Sequence, residues 1–253
     1  MNQYDDTAIE IKSVDELHAM QRAGQLLREV VTKITRGIRP GIPTIKLDEM
    51  ARTLIEKDGG RPAFLGYRDY PATICVSINE EVVHGIPSMR RLRDGDIVSI
   101  DVGLFKDGFY VDKAVTVMVG KVTPSGRRLV QVTEEALRIG INVARPNKRL
   151  GDLSSAVQAH VEAAGFSVVR EYTGHGIGRK IHEPPQIPNF GKAGSGPRLQ
   201  PGMVLAIEPM VNIGTWKTVT LDDQWTVVTA DGQLSAHFEH TVAVTDKEPW
   251  ILT

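Results

Sequence analysis

The sequence predicts an α/β (α+β) fold of two similar halves, each a pair of helices followed by antiparallel strands. Three observations carry this. Apolar residues recur at helical spacing in four segments, β-type runs follow each helical pair, and the second half repeats the order of the first. The chain has 253 residues, 41% hydrophobic and 24% charged. That length suits one domain with a substantial core, so residues 1–253 are expected to form a single domain with an internal repeat, approximately 13–120 and 124–253.

The elements follow in order. Ser13 and Glu16 have capping-box spacing, and Leu17, Met20, Ala23, Leu27, Val30, Val31 and Ile34 recur behind them, predicting a helix over 14–36. Arg39-Pro40-Gly41 stops it. A second helix is expected from Thr44 to Lys57, with Leu47, Met50, Ala51, Leu54 and Ile55 on one face and Gly59-Gly60 behind it. After Pro71 the pattern turns to β: ATICVSI, DIVSIDVGLF and FYVDKAVTVMV, separated by polar or Gly-containing turns. A third helix, Arg127 to Val143, ends at Arg145-Pro146 as the first ended at Arg39-Pro40, and a fourth runs from Leu153 to Ala164 before Gly165. DGDIVSID (94–101) aligns with PGMVLAIE (201–208) at an offset of 107, and VDKAVTV (111–117) with FEHTVAV (238–244) at an offset of 127.

Composition excludes several classes of function. Lys+Arg number 30 against 31 Asp+Glu, a formal net charge of -1, so no basic surplus points to a nucleic acid or an anionic membrane. One cysteine allows neither an internal disulfide nor a zinc site of several thiolates. The N-terminal stretch MNQYDDTAIEIKS is polar and acidic, without a basic region or an apolar core segment, and no apolar run approaches the roughly 20 residues of a membrane helix. A cytoplasmic protein without membrane association is expected.

The aligned halves place Asp101 opposite Glu208 and Asp112 opposite Glu239. All four sit in apolar strand runs (SIDVG, YVDKAV, AIEPM, HFEHTV), where an ionised carboxylate without a partner is costly. If Lys106-Asp107 forms the hairpin turn, Asp101 and Asp112 are direct cross-strand neighbours with Cβ atoms about 5 Å apart; if Asp107-Gly108 forms it, they are diagonal neighbours. Both registers put the two carboxylates on one face, where like charges repel unless protonated or bridged by cations. A single such residue reads as a strand-edge carboxylate with an Arg or N–H partner. Four, related in pairs, read as a site for two metals bridged by carboxylates from both halves.

His84, His175, His182 and His240 lie in or beside Gly- and Pro-punctuated segments flanking strands, whereas His18, His160 and His237 carry no assigned role. Oxygen-rich ligation with one or two imidazoles suits Mn, Fe(II), Co or Zn. H-E-x-x-H, G-x-S-x-G and G-x-x-x-x-G-K-[ST] are absent, and GHGIG (174–178) lacks the spacing of a nucleotide loop. Cys75 alone reads as a small apolar strand residue, and Arg90-Arg91-Leu92-Arg93 as a solvated turn.

At these residues the sequence resembles the type I methionine aminopeptidases. The resemblance covers nearly the whole chain and is carried by FLGYRDYPATICVSINEEVVHGIP, DGDIVSIDVGLFKDGFYVD, GFSVVREYTGHGIGRKIHEPPQIPN, LQPGMVLAIEPMV and WTVVTADGQLSAHFEHTVAVT. It implies a pita-bread fold, one catalytic domain of two pseudo-two-fold related halves around a dinuclear metal site. It implies removal of the initiator methionine from nascent polypeptides with a small second residue, by metal-activated water. The implied metal ligands are Asp101, Asp112, His175, Glu208 and Glu239, with Asp112 and Glu239 bridging. The implied catalytic residues are His84, His182 and Glu208, the last as proton shuttle. Tyr67, Tyr70, Cys75 and Trp225 match the walls of the methionine pocket, with Phe64 and Ile181 at neighbouring positions. Implied partners are nascent-chain N-termini, with transient ribosome association, and the protein is expected to be a monomer.

Three residues depart from the pattern: Val111 before the Asp112 position, where Gly is usual, and Lys113 after it, which could alter metal affinity or access, and Ile181 where an aromatic is common. Only 31 residues separate Glu208 from Glu239, too few for the helical insertion of the type II enzymes, and no N-terminal zinc-binding extension is seen, so the short bacterial form is expected. The rival readings are a proline-directed peptidase of the same fold and a catalytically silent peptide- or ribosome-binding relative.

Overall fold

The computed structural model describes residues 9–253. The first eight, which open the N-terminal segment read above, lie outside the described residues. Helices α1 (Val14–Gly37) and α2 (Thr44–Lys57) occupy the ranges that apolar periodicity predicts to within a residue. The capping box at the start of α1 is formed: the Ser13 hydroxyl accepts from Glu16 N at 3.3 Å and the Glu16 carboxylate accepts from Ser13 N at 2.7 Å. Helices α3 (Pro124–Val143) and α4 (Leu150–Ala163) each begin three residues earlier than expected. Their starts are set by polar caps that apolar periodicity does not register. The Thr123 hydroxyl accepts from Gly126 N with Pro124 in the first turn, and the Asp152 carboxylate accepts from Arg149 N.

The first half contributes β1 (Arg61–Pro62), β2 (Cys75–Ile78), β3 (Glu81–Val83), β4 (Ile97–Lys106) and β5 (Phe109–Met118). The second contributes β6 (Ser167–Val168), β7 (Gly174–Gly176), β8 (Glu183–Ile187), β9 (Val204–Ile207), β10 (Met210–Asn212), β11 (Thr218–Thr220), β12 (Val227–Thr229), β13 (Ser235–His237), β14 (His240–Ala243) and β15 (Trp250–Ile251). Strand β4 pairs with β5 on one side and with β1 and β2 on the other. In the second half the order is β15-β14-β9-β7-β8, and two three-stranded sheets, β13-β10-β6 and β11-β12-β3, complete the fold. All pairings are antiparallel.

Apolar burial fixes which face of each sheet the helices cover. Leu17, Met20, Leu27, Val30 and Ile34 of α1 and Leu47 and Ile55 of α2 share one core with Val98, Ile100, Val102 and Leu104 of β4. Leu129, Val132, Ala136 and Leu137 of α3 and Leu153 and Val157 of α4 share another with Leu205 and Ile207 of β9 and Val242 of β14. Because strand side chains alternate, the β4 residues of the other parity, Ser99, Asp101 and Gly103, point away from α1.

The two large sheets meet at β5 and β14. Glu239 N donates to Ala114 O at 2.9 Å. The Thr241 hydroxyl accepts from Asp112 N at 2.9 Å and donates to Asp112 O at 2.9 Å. One step along, the Thr116 hydroxyl accepts from His237 N at 2.9 Å and donates to His237 O at 2.8 Å. Threonine hydroxyls thus stand in for ladder bonds along an antiparallel seam, and the two carboxylates aligned by the repeat, Asp112 and Glu239, belong to it. Among the described residues no helix is long and apolar enough to cross a membrane.

Candidate active site

The β4–β5 hairpin decides between the two registers left open above. Lys106 pairs with Phe109, Asp101 with Ala114, and Gly103 with Asp112. The turn is therefore Asp107-Gly108, both with positive φ (53° and 87°), the backbone a two-residue primed turn demands. Asp101 and Asp112 are diagonal neighbours on one face.

His175 reaches the same place from β7, squeezed between β8 and β9. A side chain at Gly174 would collide with Ala206 O and one at Gly176 with Pro184 O, which accounts for the Gly-His-Gly sequence. His175 Nδ1 lies 2.9 Å from Gly176 O. Donation there leaves Nε2 as a free lone pair, 3.5 Å from Glu208 Oε1. Glu208 follows β9 and Glu239 precedes β14, so neighbouring strands bring these two carboxylates in from the second half. Asp112, His175 and Glu239 each offer a ligand atom within 4.8 Å of the others, and all three are buried.

The electrostatics of this cluster are unfavourable without a cation. Burial first, then the charges of Asp112 and Glu208, raise Asp101 well above the usual carboxylate range. Burial and then the Glu208 charge push Asp112 up to about 7. Glu239 is raised by burial and then by Asp112 and Glu208, and Glu208 by burial. Asp101 Oδ1 and Glu239 Oε1 are buried with no hydrogen-bond partner among the described residues. Two orphaned oxygens, two further carboxylates and an unprotonated imidazole nitrogen are the donor set a divalent metal takes, so the residues fit such ions.

The cluster opens on a cavity of about 390 Å³, lined by the eleven residues to which the resemblance gives a metal, catalytic or pocket-wall role: Tyr67, Tyr70, Cys75, His84, Asp101, Asp112, His175, His182, Glu208, Trp225 and Glu239. Tyr70, Ala72 and Cys75, with Phe64, Ile86 and Trp225, form a small apolar cluster of their own, and the Tyr70 and Trp225 rings meet edge-on at 5.0 Å. The Cys75 thiol is pushed well up, by burial and then by the Asp101 charge across the β2–β4 pair. His182 stands 4.3 Å from the His175 ring, and its Nδ1 is 2.9 Å from the Tyr67 hydroxyl. His84 sits in left-handed backbone (φ 61°), a costly conformation for a non-glycine residue, with its ring against Tyr172 and Trp225. Burial lowers His84 and His182 to about 4, helped by the His237 and His182 charges at His84 and by Arg68 at His182, so both rings are neutral near pH 7.

Three residues stand differently from the sequence expectation. Lys113 does not face the carboxylates: its Nζ lies 3.0 Å from His240 Nδ1, on the side of the seam covered by α1, because residues 112 and 113 point to opposite faces. Ile181 is buried but does not line the cavity. His237, given no role, lies beneath the site with Nε2 at 3.6 Å from Glu208 Oε2. The cavity also takes in Arg68, Glu171, Tyr172, Thr173, Glu183, Pro184 and Gln186. Most of these flank His175 or His182 in the chain, and that adjacency is the signal by which they could have been found.

Lys12 supports the His182 segment from a distance. Its side chain is 1% exposed, with the ammonium 2.7 Å from the Glu183 carboxylate and 3.2 Å from that of Glu10. Glu183 also accepts from Lys180 N at 2.9 Å, so the segment before α1 is tied to the loop carrying His182.

The profile of metallopeptidase family M24 matches residues 18–246. A methionine aminopeptidase of Clostridium perfringens is 50% identical over 243 residues, covering 96% of this chain and 98% of that protein. The crystal structure of methionine aminopeptidase from Rickettsia prowazekii superposes with a TM-score of 0.95 at 43% identity, over 97% and 99% of the two chains. A prolidase from Pyrococcus furiosus, at 23% identity and a TM-score of 0.79 over 98% of this chain and 66% of that one, shares the fold alone. The fold is the pita-bread fold. With the buried carboxylates at its centre and near-full-length likeness on both measures, the chain belongs to metallopeptidase family M24, among its type I methionine aminopeptidases.

Proposed function

We propose that this chain hydrolyses the first peptide bond of new polypeptides that begin with methionine and a small second residue. The observation that carries this is the cluster of four carboxylates, Asp112 and Glu239 buried and Asp101 and Glu208 partly so, with His175, opening directly onto a cavity walled by Tyr70, Cys75 and Trp225. Asp101, Asp112, His175, Glu208 and Glu239 would hold two divalent ions of the Mn, Fe(II), Co or Zn class. When bound, these supply a nucleophilic water at neutral pH and polarise the scissile carbonyl.

The rest is done by side chains. Glu208, whose carboxyl is raised by burial, holds the proton that passes from the nucleophile to the leaving amine. Tyr67 O–H donates to His182 Nδ1, which puts the His182 proton on Nε2, where it donates to the developing oxyanion. His84 binds the next amide of the substrate. The apolar wall holds the methionine side chain, and a difference of one methylene there is worth about 1–3 kcal/mol. Crowding beside the carboxylates excludes a bulky second residue.

The 253 residues act as one catalytic domain built on the internal repeat. The β5–β14 seam supports this. The offset of 127 that carries Asp112 onto Glu239 also carries Ala114 onto Thr241 and Lys113 onto His240, so it exchanges the seam's first two rungs. The protein works as a cytoplasmic monomer on nascent-chain N-termini, in transient contact with ribosomes. Assays of metal-stripped protein with each ion restored, on Met-Ala-Ser, Met-Pro-Leu and an X-Pro peptide without methionine, test the reading. Metal-dependent release of methionine is expected. Cleavage of the X-Pro peptide alone would favour a prolidase-like activity, and no cleavage despite bound metal would favour a silent peptide-binding protein.

A further inference from the structure

His237 is the one histidine at the site to which neither sequence motif nor proposed mechanism gives a task. It ends β13, where Met210 of β10 pairs with it. Its backbone is locked on the other side by the paired bonds to the Thr116 hydroxyl, at 2.9 and 2.8 Å. The residue is 2% exposed, and its Nε2 is buried with no hydrogen-bond partner among the described residues. A buried ring nitrogen in native structure almost always has a partner. The atom it faces is Glu208 Oε2, at 3.6 Å, while the other oxygen of that carboxylate faces His175 Nε2 at 3.5 Å. Glu208 therefore lies between two imidazoles. His175 offers it a lone pair, because the His175 proton is committed to Gly176 O. The two rings are thus not equivalent: only His237 can present a donor to Glu208.

We propose that His237 is a positioning residue for the reaction, its Nε2–H donating to Glu208 Oε2 and so fixing the carboxylate with Oε1 turned toward His175 and the other carboxylates. The role rests on the reading of Glu208 as the proton carrier. The gap of 3.6 Å is a few tenths of an ångström beyond a hydrogen bond, a separation that catalytic contacts close when substrate is bound. A carboxylate free to rotate would still bind, but it would spend less of its time where the proton must be handed over. The effect therefore belongs in kcat rather than KM.

The test compares metal-reconstituted wild-type protein with His237→Leu, His237→Asn and His237→Gln. The Gln amide nitrogen reaches the place of the imidazole Nε2, and the shorter Asn does not. Met-Ala-Ser hydrolysis, thermal unfolding and a Mn(II) titration are measured for each. Leu and Asn are expected to lower kcat tenfold or more with KM within about twofold. Gln is expected to stay within about threefold of wild type, and all four proteins to bind Mn(II) alike. If the leucine variant does not fold, the contrast of Asn with Gln decides. Equal kcat for Asn and Gln in folded protein, or wild-type kcat for Leu, would overturn the role. A tenfold loss of Mn(II) affinity in the leucine or asparagine variant would also overturn it, by making His237 a ligand. A wild-type protein that binds Mn(II) and releases no methionine from any peptide would overturn the hydrolytic reading itself, a result separable from all of these.

Discussion

Replacing Thr241 by valine removes one hydroxyl from a fully buried side chain and leaves its shape. That hydroxyl accepts from Asp112 N and donates to Asp112 O, each at 2.9 Å, so the substitution orphans a donor and an acceptor on the backbone of a residue proposed to hold the metals. A buried backbone group without its partner costs about 1–3 kcal/mol, which puts the pair at about 2–6 and, with slight relaxation of the seam, at ~3 kcal/mol. For a chain of this size each kcal/mol lowers the unfolding midpoint by about 2–4 °C, hence about 6–12 °C in all. Serine keeps the hydroxyl and loses only a methyl, about 1 kcal/mol. Urea and thermal unfolding of Thr241→Val and Thr241→Ser, both metal-stripped, measure the difference. A valine variant within 0.5 kcal/mol of wild type, taking ~0.5 as the limit of an ordinary neutral substitution, would refute the claim that hydroxyls close the seam.

Other consequences follow from the same contacts. Lys12→Met leaves the Glu183 carboxylate buried without its cation and should cost ~3 kcal/mol in urea unfolding while lowering kcat through the adjacent His182; a loss below ~1 kcal/mol would mean that the pair behaves as a surface contact. Tyr67→Phe releases His182 Nδ1 and should lower kcat about fivefold or more with KM little changed, read from Met-Ala-Ser hydrolysis. The Cys75 thiol, buried and raised, should react with a disulfide reagent at pH 8 far more slowly than a free thiol, and a rate like that of a free thiol would contradict its burial. His84, partly buried, has a folded pKa near 4 against 6.5 when unfolded, so the unfolded chain binds more protons between those values. Its contribution is complete above pH 6.5 and is lost as pH falls toward 4, at most about 2 kcal/mol by pH 5, measurable by urea unfolding of metal-stripped protein at pH 5 and 7.

Much of this arrangement is legible in the sequence, for identifiable reasons. α1 and α2 show as bare periodicity because their buried positions are nearly all aliphatic, whereas the starts of α3 and α4 depend on Thr123 and Asp152, whose polar caps carry no apolar signal. The carboxylates stand out because acids inside SIDVG and AIEPM contradict the burial those runs imply. The hairpin register could be narrowed to two choices but not decided, since either Lys106-Asp107 or Asp107-Gly108 can turn the chain; Gly108 at φ 87° settles it. The seam was hidden because it joins strands more than a hundred residues apart through Thr116 and Thr241 side chains, which read as ordinary strand threonines. The same distance hid the partner of Lys113, and the pairing of β13 with β10 hid that of His237. The first meets His240 on the helix-covered face, and the second meets Glu208 only after β13, β10 and β5 have come together.

The central proposal is that four clustered carboxylates, two of them in the seam, and His175 hold divalent metal for methionine removal. It is tested most directly by titrating Mn(II) into metal-stripped protein while following heat and methionine release from Met-Ala-Ser together, for wild type and for Asp112→Asn. The account predicts that release appears as metal binds, and that the variant, folded by its thermal transition, loses binding and release alike. Methionine released by the metal-stripped protein in excess chelator, or an Asp112→Asn protein that binds and cleaves as wild type does, would contradict it.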